Sequence, residues 1–325
     1  MSKIISIGTA LPSYKHSQQQ IQQFMELVFA LDKEENRKLR FLYHQSGIEN
    51  RYSVIPDFTR PISDWKFFPQ SENLEPFPSL EKRMDWFNKY AAPLSVNAIR
   101  DCIGNIISVR DITHLITVSC TGMSAPGLDL QVMDLLDLPK NIYRSSVNFM
   151  GCYAAIHALK MADAICNTEK KARVMIVCTE LCTIHFQKEG NADSISSSLL
   201  FGDGSAAMLV VNNEHRNEGL KLESFYSEVI AKGKKDMAWE LSSSGFLMTL
   251  SGYIPELIEE DFSPLVEKAV QHAGLKKENI TRWCIHPGGK RILQAIHKSL
   301  AFTNGELDDC FEVLKNYGNN EIMGR

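Results

Sequence analysis

No run of apolar residues in this 325-residue chain approaches the ~20 that a membrane-spanning helix needs. Charge of one sign is also missing: 35 Lys and Arg stand against 39 Asp and Glu, a net charge of −4, which excludes a polybasic nucleic-acid binder. Glycine (19) and proline (12) are too sparse for a collagen-like chain and gather into no linker, and 44% hydrophobic residues exclude a disordered one. No Cys-x-x-Cys pair occurs among the eight cysteines and no Cys/His group has zinc spacing, so no metal is expected. A nucleotide fingerprint is absent too: Leu200–Ala206 (LFGDGSA) lacks the spacing and reads as a tight turn into a strand. Met1–Ala10 has no cleavage signal and reads as a buried strand. Several cysteines sit inside apolar runs such as Val174–Cys178, which suits thiols used as core residues in a reducing compartment, the cytoplasm.

What is there alternates. Strands are expected at Lys3–Ile7, His114–Ser119, Arg144–Phe149, Arg173–Thr179, Ala206–Val211, Lys221–Tyr226, Phe246–Leu250 and Arg282–Ile285. Helical spacing marks Ser17–Ala30, Lys33–Ser46, Arg83–Ile103, Gly127–Leu136, Cys152–Cys166, Ser194–Leu200, Ile254–His272, Gly289–Leu300 and Glu306–Asn316. Residues 53–82, with five prolines, read as an irregular covering loop. The alternation predicts an α/β fold with parallel strands between helices.

Three residues could carry chemistry. Cys152 follows a β-branched run and the turn Phe149-Met150-Gly151 and opens an alanine-rich helix. A thiol there feels the positive end of the helix dipole, which favours thiolate; the alternative is an inert buried cysteine. His286 ends an apolar segment and precedes Pro287-Gly288-Gly289, a sharp turn of the kind found where open sheets bind ligands; the alternative is a surface histidine. Asn319 stands in Tyr317-Gly318-Asn319-Asn320, which by itself is a helix C-cap turn.

Seven segments taken together resemble the type III polyketide synthases, the chalcone synthase-like branch of the thiolase superfamily. They are Ile4–Pro12, Gln45–Arg51 (QSGIENR), Ser119–Gly127 (SCTGMSAPG), Met150–Ala154 (MGCYA), Leu200–Ala206, Ile285–Gly289 (IHPGG) and Tyr317-Gly318-Asn319. The resemblance implies a five-layered α-β-α-β-α thiolase-type fold of two similar halves, 1–212 carrying the nucleophile and 213–325 carrying His and Asn. It implies decarboxylative condensation of an acyl-CoA with malonyl-CoA on a Cys152-His286-Asn319 triad, in a homodimer, without cofactor. Phe201 and Met248 fall on gatekeeper positions; Cys120, Thr121 and His185 fall on cavity-wall positions, where His185 either narrows the cavity or is a satisfied core histidine. Met248 and Ala125 replace bulkier residues and predict an entrance open to long starters. Lys38, Gly289 and Arg291 fall on or beside positions that hold CoA; Phe41 and Gln45 replace two basic residues there, and Arg37, Arg40 and Lys290 are candidate substitutes. Relatives continue about 45 residues beyond the triad Asn, so the last two strands of the second half are expected to be missing from this sequence, which ends at Arg325. Two other readings remain: a ketoacyl synthase acting on carrier-protein thioesters, and a shortened inactive homologue serving as a binding partner.

Overall fold

The computed structural model describes residues 1–319 apart from Glu72 and Lys234. The first half runs β1 (Ser2–Ala10), β2 (Tyr14–Ser17), α1 (Gln18–Phe29), α2 (Lys33–Gln45), β3 (Asn50–Ser53), α3 (Leu80–Ile103), β4 (His114–Ser119), α4 (Leu128–Leu136), β5 (Tyr143–Asn148), α5 (Ala154–Thr168), β6 (Arg173–Leu181), α6 (Ala192–Leu200) and β7 (Asp203–Asn212). The second adds β8 (Leu220–Leu222), β9 (Met237–Ser242), β10 (Gly245–Leu250), α7 (Ile254–His272), α8 (Lys290–Ser299) and α9 (Asp308–Tyr317).

Helix starts follow from side chains that complete the unpaired first-turn N–H groups. Ser17 and Gln20 form a capping box at α1, and Asp32 and Glu35 form one at α2. α1 then buries Ile21, Phe24, Met25 and Val28, a one-face stripe.

Six strands form one sheet in the order β5-β4-β6-β7-β1-β8. Both of its faces are covered. Leu115, Val177 and Leu209 face the cluster that contains Ile99 of α3; Ile116, Val118 and Ile176 face the cluster that contains Ala158 and Ala162 of α5. Burial on both sides is why these strands read as near-continuous apolar runs. α3 lies very close to β1: a Cβ on Gly8 would stand 2.1 Å from the Cys102 backbone nitrogen, so only glycine fits this point of the Ile4–Pro12 segment.

The sheet departs from the expected parallel arrangement. β5, β4 and β6 are parallel, but β7 runs back beside β6, and β1 and β8 are antiparallel to their neighbours. The link from β6 to β7 carries α6 and stays at one end, pairing Leu181 with Asp203, so no crossover returns the chain. Between β3 and α3 the described residues are irregular apart from two short 3-10 turns, close to the expectation for 53–82, and well satisfied. The Asp57 carboxylate accepts from the N–H groups of Lys66, Phe67 and Phe68, while Trp65 and Phe68 pack around Phe24.

In the second half, α7, α8 and α9 border a separate apolar cluster centred on Leu293, Ile296, Leu300 and Leu314. Three strand expectations need correction there. Arg282–Ile285 forms no ladder, because no strand lies beside it among the described residues, and a strand exists only through its partner. Lys221–Tyr226 shrinks to the β8 strand, which pairs with β1 only from Ser2 to Ile4. The hairpin β9–β10, closed by the two-residue turn Ser243-Ser244, was expected only in its second strand. The expectation of missing C-terminal strands concerns chain outside the described residues.

Candidate active site

Cys152 does not open an α-helix directly. It lies in a 3-10 turn, Gly151–Tyr153, whose last residue leads into α5. The turn follows a sharp reversal in which Phe149 has φ +55° and Gly151 has φ +70°. A non-glycine residue in the left-handed region is uncommon and strained, and here it swings the chain out of β5 so that Cys152 faces a cavity. Cys152 is half-buried.

The cavity measures about 420 Å³ and is lined by Cys152, Cys120, Thr121, Phe201 and Met248 among others, so five of the expected site residues share one wall system. Cys182 and Glu180 are among the members that were not anticipated. The Glu180 carboxylate accepts from the Cys120 backbone N–H (2.8 Å) and the Thr121 hydroxyl (2.6 Å), fixing the loop after β4. Gly151 donates its N–H to the Cys120 sulfur at 3.3 Å, tying that loop to the turn of the nucleophile.

A second cavity of about 350 Å³ adjoins the first, and Cys182, Phe201, Trp239 and Met248 line both. Phe201 and Met248 thus stand between two chambers. Trp239, missed because its segment was read as irregular, donates its indole N–H to the Cys120 carbonyl. The alternation Met237, Trp239, Leu241 before Ser243-Ser244 was the available signal.

His185 belongs to the second chamber. Its Nε2 lies 2.8 Å from the Thr121 carbonyl, its Nδ1 accepts from the Phe246 N–H, and its ring stacks on Phe246 at 4.3 Å. Nδ1 as acceptor makes Nε2 the donor, so the ring is a satisfied neutral imidazole that also narrows the wall. Burial, with Arg83 nearby, lowers its pKa to about 3. Burial alone lowers that of His286 to about 4. Both values lie below the 6.5 of a free histidine, so the unfolded chain binds more protons in acid. Their stabilisation is present above pH 6.5 and is lost as pH falls through 4 towards 3. Buried Asp203, raised to about 6, works oppositely: its contribution is present below 3.8 and lost as pH rises through 6. His185→Gln keeps a donor and an acceptor but cannot titrate, so its urea midpoint is expected to fall less steeply between pH 6.5 and 4 than that of the parent chain. An unchanged acid slope would remove His185 from this role.

Asn319 is buried and tied in three ways. Its N–H donates to the Leu200 carbonyl (2.7 Å), its carbonyl accepts from the Gly202 N–H (3.2 Å), and its Nδ2 donates to the Gly288 carbonyl (3.2 Å). Phe201, on the wall of the Cys152 cavity, is therefore bridged to Asn319, and Asn319 reaches the loop two residues after His286. Among the described residues, His286 Nε2 and Asn319 Oδ1 are both buried without a hydrogen-bond partner. Buried polar atoms are ordinarily paired, so two unspent ones on neighbouring loops mark a place for a polar ligand.

A third cleft, of about 410 Å³, is lined by Gln45, Ser46, Gly289, Lys290, Arg291 and the α7 start, among others. Gly289 and Arg291 are there, the latter 3.5 Å from Glu256. Lys38 is outside it: exposed on α2, it pairs with Glu34 one turn back. Arg40, one of the candidate substitutes, is held by Glu26 across from α2. Among the described residues, no group of three His, Cys, Asp or Glu could hold a metal ion.

The family model for chalcone and stilbene synthases, N-terminal domain, matches residues 1–214, and the corresponding C-terminal-domain model matches residues 221–322. The chain is 29% identical, over 98% of its length, to "Probable polyketide synthase 1" of Dictyostelium discoideum, of which it spans 10%. The solved C-terminal type III polyketide synthase domain of Steely1 from Dictyostelium has a TM-score of 0.89 at 28% identity, covering 98% of this chain and 88% of that one. PKS-I from the brown alga Ectocarpus siliculosus has a TM-score of 0.91 at 25% identity, covering 98% and 85%.

Proposed function

The chain belongs to the chalcone and stilbene synthase family of acyltransferases, type III polyketide synthases of thiolase-type fold that condense acyl-CoA starters with malonyl-CoA, and we propose that here the reaction runs through Cys152, His286 and Asn319. What carries this assignment is the contact path from the Cys152 cavity through Phe201 and Asn319 to the His286 loop, with His286 Nε2 buried and unspent.

The steps follow from the residues. His286, neutral at pH 7, takes the Cys152 proton as the sulfur attacks the starter thioester. The tetrahedral adduct collapses, the C–S bond to CoA breaks, and the CoA thiolate takes that proton back. Malonyl-CoA then loses CO₂. The electron pair of the broken C–C bond moves onto the thioester oxygen as an enolate, which accepts from His286 Nε2–H and from the second Nδ2 hydrogen of Asn319, whose first is committed to Gly288. Fixed donors in a water-poor site stabilise that charge strongly. The enolate carbon attacks the acyl-Cys152 carbonyl, a C–C bond forms, the C–S bond to Cys152 breaks, and the departing thiolate takes up one proton from solvent to restore the starting thiol. Thiolate, imidazole and amide supply everything these steps require, so we assign no cofactor.

Gly289, Lys290 and Arg291 hold the CoA portion in the third cleft, with Lys38 at most an outlying charge on α2. Reduced cysteines suit a cytoplasmic setting, and among the described residues no helix is long and apolar enough to cross a membrane. A second copy would cover the open edge β5, on and just after which Tyr143, Met150, Tyr153 and Ile156 are exposed. Sedimentation is expected to give twice the 36.7 kDa chain mass, and a monomer at micromolar concentration refutes that pairing.

The test is malonyl-CoA turnover by the full chain. Carbon dioxide release, and with added acyl-CoA a product longer by two carbons, is expected. No decarboxylation would support the inactive binding partner instead, and activity only on carrier-protein thioesters would support the ketoacyl synthase reading.

A further inference from the structure

Arg51 closes the Gln45–Arg51 segment, which the chemistry above does not use. It follows Asn50 on β3, a short strand of the first half, yet its side chain is 0% exposed and lies where the two halves meet. Its Nη1 donates to the carbonyls of Ser198 (2.5 Å) and Phe201 (2.8 Å). Its methylene stem runs under Gly318, where a Cβ would stand 2.9 Å from the Arg51 stem and 2.7 Å from the Leu200 carbonyl. Gly318 has φ +73°, so a glycine both permits this backbone and lets the arginine stem pass. The residues on either side of this crossing are Phe201 and Asn319.

We propose that Arg51 is a positioning residue that holds Asn319 and Phe201 in register, so that it governs the malonyl half of the reaction and not the loading of Cys152. This rests on the roles given above to Cys152 and Asn319. A guanidinium suits such a position because it is planar, reaches two carbonyls from one nitrogen, and keeps its charge when buried. The Asp203 carboxylate stands close enough to offset part of that charge, and the neutral Tyr43 hydroxyl lies beside the guanidinium and meets the Ser198 hydroxyl at 2.8 Å. Displacing catalytic donors by ~1 Å costs as much as roughly 10²-fold in rate.

Arg51→Lys keeps a positive charge but has a shorter reach and no planar guanidinium, so it cannot meet both the Ser198 and Phe201 carbonyls from the Arg51 nitrogen position. We expect condensation to fall about 10- to 100-fold, with acyl transfer from starter CoA to Cys152, read by intact mass in single turnover, within threefold of the parent. The KM for the starter should not move. Asn319→Ala serves as the reference and should show the same split, and the double variant should be no worse than Asn319→Ala alone. Tyr43→Phe, which removes one neighbour of the guanidinium, should show the same split in smaller measure; it decides the matter if Arg51→Lys does not fold. Condensation within twofold in Arg51→Lys, or equal loss of loading and condensation, overturns the proposal. If Asn319→Ala itself leaves condensation unchanged, the failure belongs to the assignment of Asn319.

Discussion

Cys152→Ala is expected to abolish condensation, by roughly 10⁴-fold or more, because the acyl group has nowhere to rest between the two halves of the reaction. No other cavity thiol can substitute. Cys120 and Cys182 line the same space, but both are buried, and Cys120 is engaged by the Gly151 N–H. Only Cys152 rides on the reversed turn in which Phe149 and Gly151 take positive φ. Malonyl-CoA decarboxylation should survive in part, since His286 and Asn319 remain. The measurement is paired: product by chromatography and carbon dioxide release from the same sample. Two-carbon extension by Cys152→Ala at a tenth of the parent rate would exclude Cys152 as the acyl carrier.

His286→Ala is expected to damage both steps. It removes the base that takes the Cys152 proton, a contribution of about 10²–10⁴, and one of two enolate donors, worth about 10²–10³. Burial holds this ring neutral at neutral pH, the form that can accept a proton on one nitrogen while donating from the other. His286→Gln should separate the roles. Glutamine can donate to the enolate but cannot act as a base, so decarboxylation should recover relative to alanine while Cys152 acylation stays slow. Condensation by His286→Ala within threefold of the parent would sink the assignment.

Much of this site was legible in the chain because each member sits in a short motif with its own backbone logic. Met-Gly-Cys makes a reversed turn, His-Pro-Gly-Gly a sharp exit, and Tyr-Gly-Asn a crossing that needs glycine. His185 was readable only as a choice between a wall residue and a satisfied core histidine. Its two ring nitrogens find Thr121 and Phe246, residues about sixty positions away, so it is both. Cys182 and Trp239 were missed for a related reason. A cysteine after a buried strand and a tryptophan in an amphipathic hairpin look like core, and only the meeting of β6, α6 and the β9–β10 hairpin turns them into a cavity wall.

Strand direction and pairing mark the boundary most clearly. Local apolar runs and caps determined where β1, β4, β6, α1, α2 and α7 lie, because helix stripes and buried strands are written in neighbouring residues. Whether β7 runs with or against β6, and whether Arg282–Ile285 becomes a strand at all, depends on partners far along the chain, which no local pattern encodes. The sequence alone thus pointed to Cys152, His286 and Asn319 as the candidate residues. The tertiary structure decided which buried atoms are left unspent, which two chambers Phe201 and Met248 divide, and that a first-half arginine reaches across to the turn of Asn319, because these are distances between residues whose separation in sequence carries no information about their separation in space.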